Sequence, residues 1–245
     1  MYEIITVATH YEGKLDALIN NDYNAHITVL GMGKKWTGFR MKNELIYDYI
    51  KSMDDNKIII YLDGFDSVIV NDPSKAIQKF KSKNYKLLFS EDPSLPFFDF
   101  LREQCFTTCK ENKILNAGMY MGYVKNLKPY LQYNLKQKCK DDQRTGNLSC
   151  KKFDISIDTN NEIFQNIKGN TPIKKNTIFV SYPGKVTIKR SFRATLEYGQ
   201  FLLNWFLLLF IIVIPLFIYK KWNIPLIIFM SIFILYFSMM DTSCI

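Results

Sequence analysis

Short apolar runs alternate with helical patterns from residue 1 to about residue 195. Runs rich in β-branched and aromatic residues predict strands, and apolar residues spaced three and four apart predict amphipathic helices. The predicted strands are Ile4–Ala8, His26–Leu30, Lys57–Leu62, Tyr85–Ser90 and Met119–Val124. The predicted helices are Leu15–Asn21, Met41–Met53, Pro73–Lys81 and Leu127–Lys136. This alternation is typical of an α/β domain.

The hydrophobic pattern changes abruptly after residue 200. Residues 201–219 carry no charge, and a helix of that length covers the hydrocarbon core of a membrane. A second apolar run, 225–240, follows Lys220 and Lys221 and either spans the membrane or re-enters it. The chain is therefore predicted to hold a domain over 1–195, a transmembrane helix over 201–219 and a second transmembrane or re-entrant helix over 225–240.

Basic residues flank the first apolar run unequally. Those that precede it are Lys185, Lys189, Arg190 and Arg193. They outnumber the two lysines between the runs, so the positive-inside rule places the domain on the cytoplasmic side. The first residues read as a strand and show no secretory leader, which favours the same side. We therefore expect a membrane-anchored protein whose domain faces the cytoplasm.

The formal charge of the chain is +9, which suits anionic partners such as phosphorylated ligands or lipid headgroups. The lysines are scattered, and no basic block is interleaved with aromatic residues as a nucleic-acid surface requires. We therefore expect no nucleic-acid partner.

The cysteine spacing argues against a structural zinc site. The chain has five cysteines, with no CxxC pair and no histidine at ligand spacing beside them. Cys139 and Cys150 flank a polar loop and could form a disulfide in an oxidising compartment, although free thiols are the simpler expectation.

Candidate chemistry begins in YLDGFDSVIV, residues 61–70, where a hydrophobic strand ends in Asp63 and Asp66. A turn at Gly64 would let the two carboxylates converge. Hard oxygen ligands at the carboxyl end of a strand suit Mn²⁺ or Mg²⁺ bound together with substrate phosphates. Asp-Gly and Asp-Ser are also ordinary turn sequences, so the motif alone leaves the metal site and the plain turn both open.

Seven segments follow one another along the chain: VATHYEGKLDALI, LGMGKKWTGF, IIIYLDGFDSVIV, LLFSEDPSLP, LNAGMYMGYVKNL, DDQ and ISIDTNNEIFQNI. Together they resemble the glycosyltransferase domain of the procollagen-modifying lysyl hydroxylases and their relatives in large DNA viruses. The resemblance implies a GT-A fold, a Rossmann-like nucleotide-sugar-binding domain that uses Mn²⁺ or Mg²⁺. It also implies transfer of glucose or galactose from UDP-glucose or UDP-galactose to a hydroxyl group, such as hydroxylysine of collagen-like protein, or to a glycan.

The resemblance carries over to individual residues. Asp63 and Asp66 match the metal-binding carboxylates. Contacts with the nucleotide sugar are implied for Thr9, Trp36, Lys42, Phe65 and Gly118. Phe65 stands where the family has a tyrosine that stacks on uracil, and its ring preserves the stacking surface.

Catalytic roles beside the sugar and acceptor are implied for Asn116, Asp141 and Asp142, with Gln143 in the same cluster. A carboxylate there would orient the acceptor hydroxyl or stabilise positive charge at the anomeric carbon. The alternatives are a tight turn around Asn116 and a solvated charged loop around the two aspartates. Two further matches, Asp158 and Gln165, are expected to support the site without reacting.

The chain departs from the family at the third metal ligand. The family has a histidine in a His-Gly-Asn-Gly run, and the corresponding FVSYPGK has Ser181 or Tyr182 there. Neither His10 nor His26 occupies the expected place. The alternative function is therefore a catalytically impaired module that binds a UDP-sugar or a glycan at a membrane.

Overall fold

Parallel strands at the start of the chain set the layout of the domain. The computed structural model describes residues 1–92, 109, 113–167 and 169–183. The strands are β1 Tyr2–Val7, β2 Ile27–Leu30, β3 Ile58–Leu62, β4 Ser67–Ile69, β5 Leu87–Glu91, β6 Leu115–Tyr123, β7 Ile155–Asp158, β8 Phe164–Asn166 and β9 Phe179–Ser181. The helices are α1 Leu15–Ile19, α2 Phe39–Ile50, α3 Pro73–Ser82, α4 Val124–Lys136 and α5 Asp142–Ser149.

Six strands form a main sheet in the order β2-β1-β3-β6-β5-β7, and three form a small sheet in the order β4-β9-β8. In the main sheet β1 is parallel to β2 and β3, β6 is antiparallel to β3 and β5, and β7 is parallel to β5. The carboxyl ends of β1, β2, β3, β5 and β7 therefore meet the amino end of β6 at one edge. We call it the carboxyl edge.

The central strand β3 is buried along its whole length, as expected of a strand covered on both faces. Ile59 and Tyr61 belong to one core cluster, together with side chains of α2 and α4. Ile58, Ile60 and Leu62 belong to a second cluster, together with side chains of α1, α3 and the small sheet. The continuous apolar run in the sequence is therefore explained by the packing of helices and of the small sheet on the two faces of β3.

The α/β prediction is confirmed, and each predicted strand and helix corresponds to an element of the structure. β6 begins at Leu115, four residues before the predicted start at Met119, so Asn116 and Gly118 lie in a strand. The prediction from sequence did not include α5, β7 and the three short strands of the small sheet. The predicted segments 201–219 and 225–240 lie outside the described residues. Within the described ranges, no helix has the length and apolar character needed to cross a membrane.

The structure corrects the cysteine prediction. Cys150 is bonded to Cys109, 41 positions earlier in the chain, and not to Cys139. Cys139 is itself disulfide-bonded, so the expectation of free thiols is wrong for all three. The reason lies in packing: α5 lies against β6 and brings Cys150 back to the segment that precedes that strand. Loop spacing in the sequence does not contain this information.

We expect the double substitution C109S/C150S to lower the free energy of unfolding by about 4 kcal/mol, because the cross-link restricts a long loop of the unfolded chain. Urea denaturation of the full chain in detergent, without reductant, measures the difference. With reductant present, the two proteins should unfold at similar urea concentrations. Equal stability without reductant would contradict the prediction.

A partly buried carboxylate, Glu3, ties the start of β1 to its neighbours. It accepts hydrogen bonds from Lys57 Nζ at 2.5 Å, Thr28 Oγ1 at 2.9 Å and the Tyr49 hydroxyl. Burial alone would raise the pKa of Glu3, but the three donors outweigh it and hold this pKa below its ordinary value.

Because its pKa is lowered on folding, ionised Glu3 stabilises the domain at neutral pH. We expect Glu3→Gln to lower the free energy of unfolding by about 2 kcal/mol at pH 7, the scale of hydrogen bonds to a charged group. The difference from the unsubstituted protein should shrink as pH falls through the lowered pKa. Chemical denaturation at several pH values tests this. As a control, Glu44→Gln in the exposed pair with Arg40 should have little effect.

Candidate active site

Most of the residues singled out in the sequence lie at the carboxyl edge. Thr9 follows β1, Trp36 follows β2, and Asp63 and Asp66 follow β3. Asn116 and Gly118 lie near the amino end of the antiparallel strand β6. The crevice outside the carboxyl ends of the strands is where open α/β sheets bind ligands. The topology therefore brings the predicted metal, nucleotide and sugar contacts to one edge.

Asp63 is the most constrained of these residues. Its backbone N–H donates to Gly118 O at 2.8 Å, and its partly buried carboxylate accepts backbone hydrogen bonds from Gly64 and Phe65. Burial raises the pKa of Asp63, and the attraction of Lys42 offsets this only in part. An ionised Asp63 is therefore costly to the folded domain when no additional cation is present.

A bulge in β6 positions the backbone beside Asp63. Phe89 pairs with Tyr120, but the next residue, Ser90, pairs with Asn116, so the ladder skips three residues of β6. Asn116 Oδ1 accepts a hydrogen bond from Gly118 N at 2.8 Å, and a Cβ on Gly118 would lie only 2.8 Å from that oxygen. The segment is a bulged strand, not the tight turn considered from the sequence.

The loop after β3 is braced by the loop after β1. Lys14 N donates to Phe65 O at 2.8 Å. Gly13 has φ +60°, and a Cβ there would lie 2.3 Å from Phe65 O, so glycine is required twice over. The Phe65 ring lies 5.2 Å from the ring of His10. Backbone contacts with the first loop thus fix the chain between the two candidate metal ligands.

Aromatic surface is available on the neighbouring loop. Trp36 is 44% exposed and packs edge-on against Phe39, with ring centroids 6.0 Å apart. Thr9 Oγ1 lies 2.9 Å from His10 Nδ1, so its hydroxyl is oriented by that imidazole. The nucleotide roles of Thr9, Trp36 and Phe65 stay predictions.

Ser181 and Tyr182, the positions that correspond to the family's third metal ligand, lie beside Asp66. Tyr182 N donates to Asp66 O at 2.8 Å, and Ser181, buried in β9, pairs with Ser67. His10 is engaged with Thr9 and Glu12. Among the described residues, no group of three or more His, Cys, Asp or Glu side chains could hold a metal ion.

The other histidine, His26, is exposed next to the amino end of β2, at the opposite edge of the sheet.

The acidic cluster forms the start of α5. Asp141 is the N-cap residue, and its carboxylate accepts a hydrogen bond from Arg144 N at 2.8 Å. Asp142, in the first turn, is 8% exposed and forms an ion pair with the buried Lys42. The cluster is therefore the ordered beginning of a helix and not the solvated loop considered from the sequence.

Lys42 carries a positive charge into this acidic surrounding. Burial lowers the pKa of Lys42, but Asp142, Asp63 and Asp141 outweigh burial and raise it above its ordinary value. Lys42 Nζ also donates to Ala117 O at 3.2 Å and lies 5.2 Å from the centre of the Tyr61 ring. Lys42 is thus a fully charged internal cation.

Three other side chains support this arrangement. Gln143 Nε2 donates to Asp92 Oδ2 at 2.9 Å, which links α5 to the chain after β5. Asp158 accepts hydrogen bonds from the backbone of three residues ahead of and within β8, and Gln165 bonds Lys174 N at 2.8 Å. The contact of Tyr61 with Lys42 was missed, because a tyrosine inside an apolar run looks like ordinary core.

An α/β sheet with carboxylates collected at its carboxyl edge has the arrangement at which open α/β sheets bind ligands. Residues 2–189 match the family model described as PLOD GT domain, where GT stands for glycosyltransferase. The chain therefore belongs to the PLOD glycosyltransferase-domain family, and the resemblance drawn from the seven segments is confirmed.

Curated relatives agree with the family model. Procollagen-lysine,2-oxoglutarate 5-dioxygenase 2 of Mus musculus is 27% identical over 235 residues, covering 83% of this chain and 30% of the relative. A multifunctional procollagen lysine hydroxylase and glycosyltransferase of Caenorhabditis elegans is 25% identical, covering 68% and 26%. Uncharacterized protein R699 of Acanthamoeba polyphaga mimivirus is 26% identical, covering 65% and 38%. The chain thus spans well under half of these relatives.

Among solved structures, A197 from STIV is similar with a TM-score of 0.39 and 12% identity, covering 64% of this chain and 80% of that one. A likeness at this level carries no argument about function.

The raised pKa of Asp63 gives a testable consequence. A carboxyl group whose pKa is raised by folding lowers the free energy of unfolding of the domain as pH rises through that pKa and the group ionises. Asparagine does not titrate and avoids this loss. With chelator at pH 7, we expect Asp63→Asn to raise the free energy of unfolding by roughly 0.5–2 kcal/mol, the usual gain from relieving a strained functional position.

Thermal unfolding with and without Mn²⁺ completes this test. Mn²⁺ should raise the Tm of the unsubstituted protein and have much less effect on Asp63→Asn, because a ligand stabilises only the state that binds it. Asp48→Asn on the exposed face of α2 is the matched control and should change neither quantity. Loss of stability in Asp63→Asn with chelator would contradict the prediction.

Proposed function

We propose that the chain is a GT-A glycosyltransferase that moves glucose or galactose from a UDP-sugar to a hydroxyl group of a collagen-like protein. The observation that carries the proposal is the position of Asp63 and Asp66 at the carboxyl edge, in a chain that matches the PLOD GT domain over residues 2–189. The names of the animal relatives point to procollagen as acceptor.

The donor would lie across the loops that follow the first three strands. The exposed ring of Trp36 and the partly exposed ring of Phe65 offer stacking surfaces for uracil. Gly118 lets the backbone of β6 approach the sugar because no Cβ stands in the way. These residues bind and orient the donor, and loss of either ring should weaken UDP binding more than it slows turnover.

The residues at this edge fit a divalent cation. Asp63 and Asp66 offer hard carboxylate oxygens, and an ionised Asp63 gains from any added positive charge because burial disfavours its charged form. Mg²⁺ and similar ions are often bound by one or two carboxylates, with substrate phosphates and water completing the shell. A bound cation would neutralise the negative charge that develops on the departing diphosphate.

The transfer itself needs a nucleophile and a proton acceptor. The acceptor oxygen forms a bond to the anomeric carbon, the bond from that carbon to the UDP oxygen breaks, and the hydroxyl proton leaves to a base. Asp141 and Asp142 are the carboxylates assigned to this end of the site, with Asn116 on the facing strand. They would orient the hydroxyl and take up or balance the charge.

A second candidate function is a UDP-sugar- or glycan-binding module without transfer activity. Ser181, which stands where the family has its histidine, favours it, as does the lack of a three-residue metal cluster among the described side chains. The same fold and nucleotide contacts would then serve binding alone.

Membrane tethering through residues 201–219 and 225–240 is part of the proposal and is supported by their apolar composition. The side of the membrane is argued from two features that disagree. The flanking lysines and arginines favour the cytoplasmic side, whereas the Cys109–Cys150 disulfide favours an oxidising compartment. Since the charge difference is small, we give the disulfide more weight and propose that the domain faces an oxidising compartment.

Calorimetric titration of UDP into the full chain in detergent, with and without Mn²⁺, tests the function first. We expect metal-dependent binding that Asp66→Ala removes, and hexose transfer from UDP-glucose or UDP-galactose to a hydroxylysine-containing collagen peptide. Asp66→Ala should reduce transfer by at least about 100-fold. Binding without transfer would support the second candidate, and no UDP binding in a folded sample would overturn both.

A further inference from the structure

The ammonium group of Lys42 is enclosed by protein groups. Its side chain is 6% exposed, and its contacts are the carboxylate of Asp142, the carbonyl of Ala117 and the face of Tyr61. An ammonium has three N–H donors. Two of them are directed to the carboxylate of Asp142 and the carbonyl of Ala117, and the ammonium also lies over the Tyr61 ring. Lys42 is therefore committed to partners inside the domain and not to a phosphate group of a bound nucleotide.

We propose that Lys42 is a positioning residue that holds Asp142 in place, and that it is not a ligand of the donor diphosphate. The proposal rests on the glycosyltransferase function proposed above, because it assigns a role within that site. It replaces the nucleotide contact that the family resemblance implied for Lys42.

The ion pair offsets the burial of the Asp142 carboxylate and fixes the direction of its side chain. The Asp142 side chain is only 10% exposed, so removing Lys42 would leave a nearly buried carboxylate without the partner that offsets the cost of its burial. Lys42 contacts Oδ2 of Asp142. Within the described residues, Oδ1 has no partner of its own, so this oxygen can accept a hydrogen bond from a ligand hydroxyl.

The pair also fixes Asp142 relative to the sugar side of the site. Lys42 comes from α2, Asp142 from α5, and Ala117 from the bulge of β6 that carries Asn116 and Gly118. A single ammonium thus holds three elements together. When Lys42 is lost, Asp142 should lose its orientation, while the loops that carry Trp36 and Phe65 keep their structure.

The variants Lys42→Met, Asp142→Asn and the double variant K42M/D142N test the proposal. We expect UDP affinity in the presence of Mn²⁺, measured by calorimetry, and the KM for the donor to stay within about threefold of the unsubstituted protein. We expect kcat to fall roughly 100-fold or more in each single variant, the usual contribution of a positioned acid–base group. Since the two residues act as one unit, the double variant should be no slower than the slower single variant.

Lys51→Met is the matched control, because Lys51 lies at the end of the same helix and pairs with an exposed aspartate. It should leave kcat, KM and UDP affinity unchanged. If Lys42→Met does not fold, the UDP titration is done with the double variant, because it removes both charges of the ion pair.

A tenfold or greater loss of UDP affinity in Lys42→Met or the double variant, with normal affinity in Asp142→Asn, would overturn the proposal and make Lys42 a phosphate ligand. Independent, multiplicative losses of kcat would overturn it as well. If the unsubstituted protein binds no UDP, the proposed function fails. The ion pair is then judged by thermal unfolding, where single variants less stable than the double variant support the coupling and additive effects refute it.

Discussion

Two neighbouring carbonyl groups at the bulge in β6 hold the candidate site together. Where the ladder between β5 and β6 skips three residues, Ala117 O accepts from Lys42 and Gly118 O accepts from Asp63 N. One bulge therefore anchors both the buried cation and the first acidic residue. Gly118 O continues the pairing of β6 with β3, whereas Ala117 is one of the residues that the β5 ladder skips, so its carbonyl is available to Lys42.

The buried charges around this bulge are balanced within the domain. Lys42 attracts Asp142, Asp63 and Asp141, and their combined attraction exceeds the cost of its burial. Asp63 remains on the unfavourable side of that balance, which is where an external cation has most to offer. The charge distribution thus distinguishes Asp142, which is paired within the domain, from Asp63, whose charge the domain compensates only in part. Net charge of the whole chain gives no hint of this division.

Much of the fold follows from local pattern. The run KIIIYL marks a strand covered on both faces, and Leu45, Ile46, Tyr49 and Ile50 mark a helix against it. The short strands of the small sheet were missed because three residues are too few to show a period of two. The helix that begins at Asp142 was missed because RTGNLSC has no apolar stripe and consists mostly of residues with low helix propensity, Gly146 among them.

The site residues likewise fall into two groups, those that the sequence could place and those whose contacts depend on packing. Asp63 and Asp66 could be placed from sequence, since parallel strands deliver their carboxyl ends to one edge. The pairing of Lys42 with Asp142 depends on a separation of one hundred residues and on how α5 packs, so no spacing rule reveals it. The Cys109–Cys150 bond belongs to this second class. Family resemblance singled out these residues as a group without showing which of them touch one another.

The close approach of Gly13 to the Phe65 carbonyl bears on how natural variation in this family should be interpreted. Gly13 touches no candidate ligand, yet its positive φ and the missing space for a side chain tie it to the loop between Asp63 and Asp66. A relative that keeps both aspartates but carries a bulky residue at this position would have a displaced loop. Inspection of the aspartates alone would then misclassify a degenerate gene as an intact one.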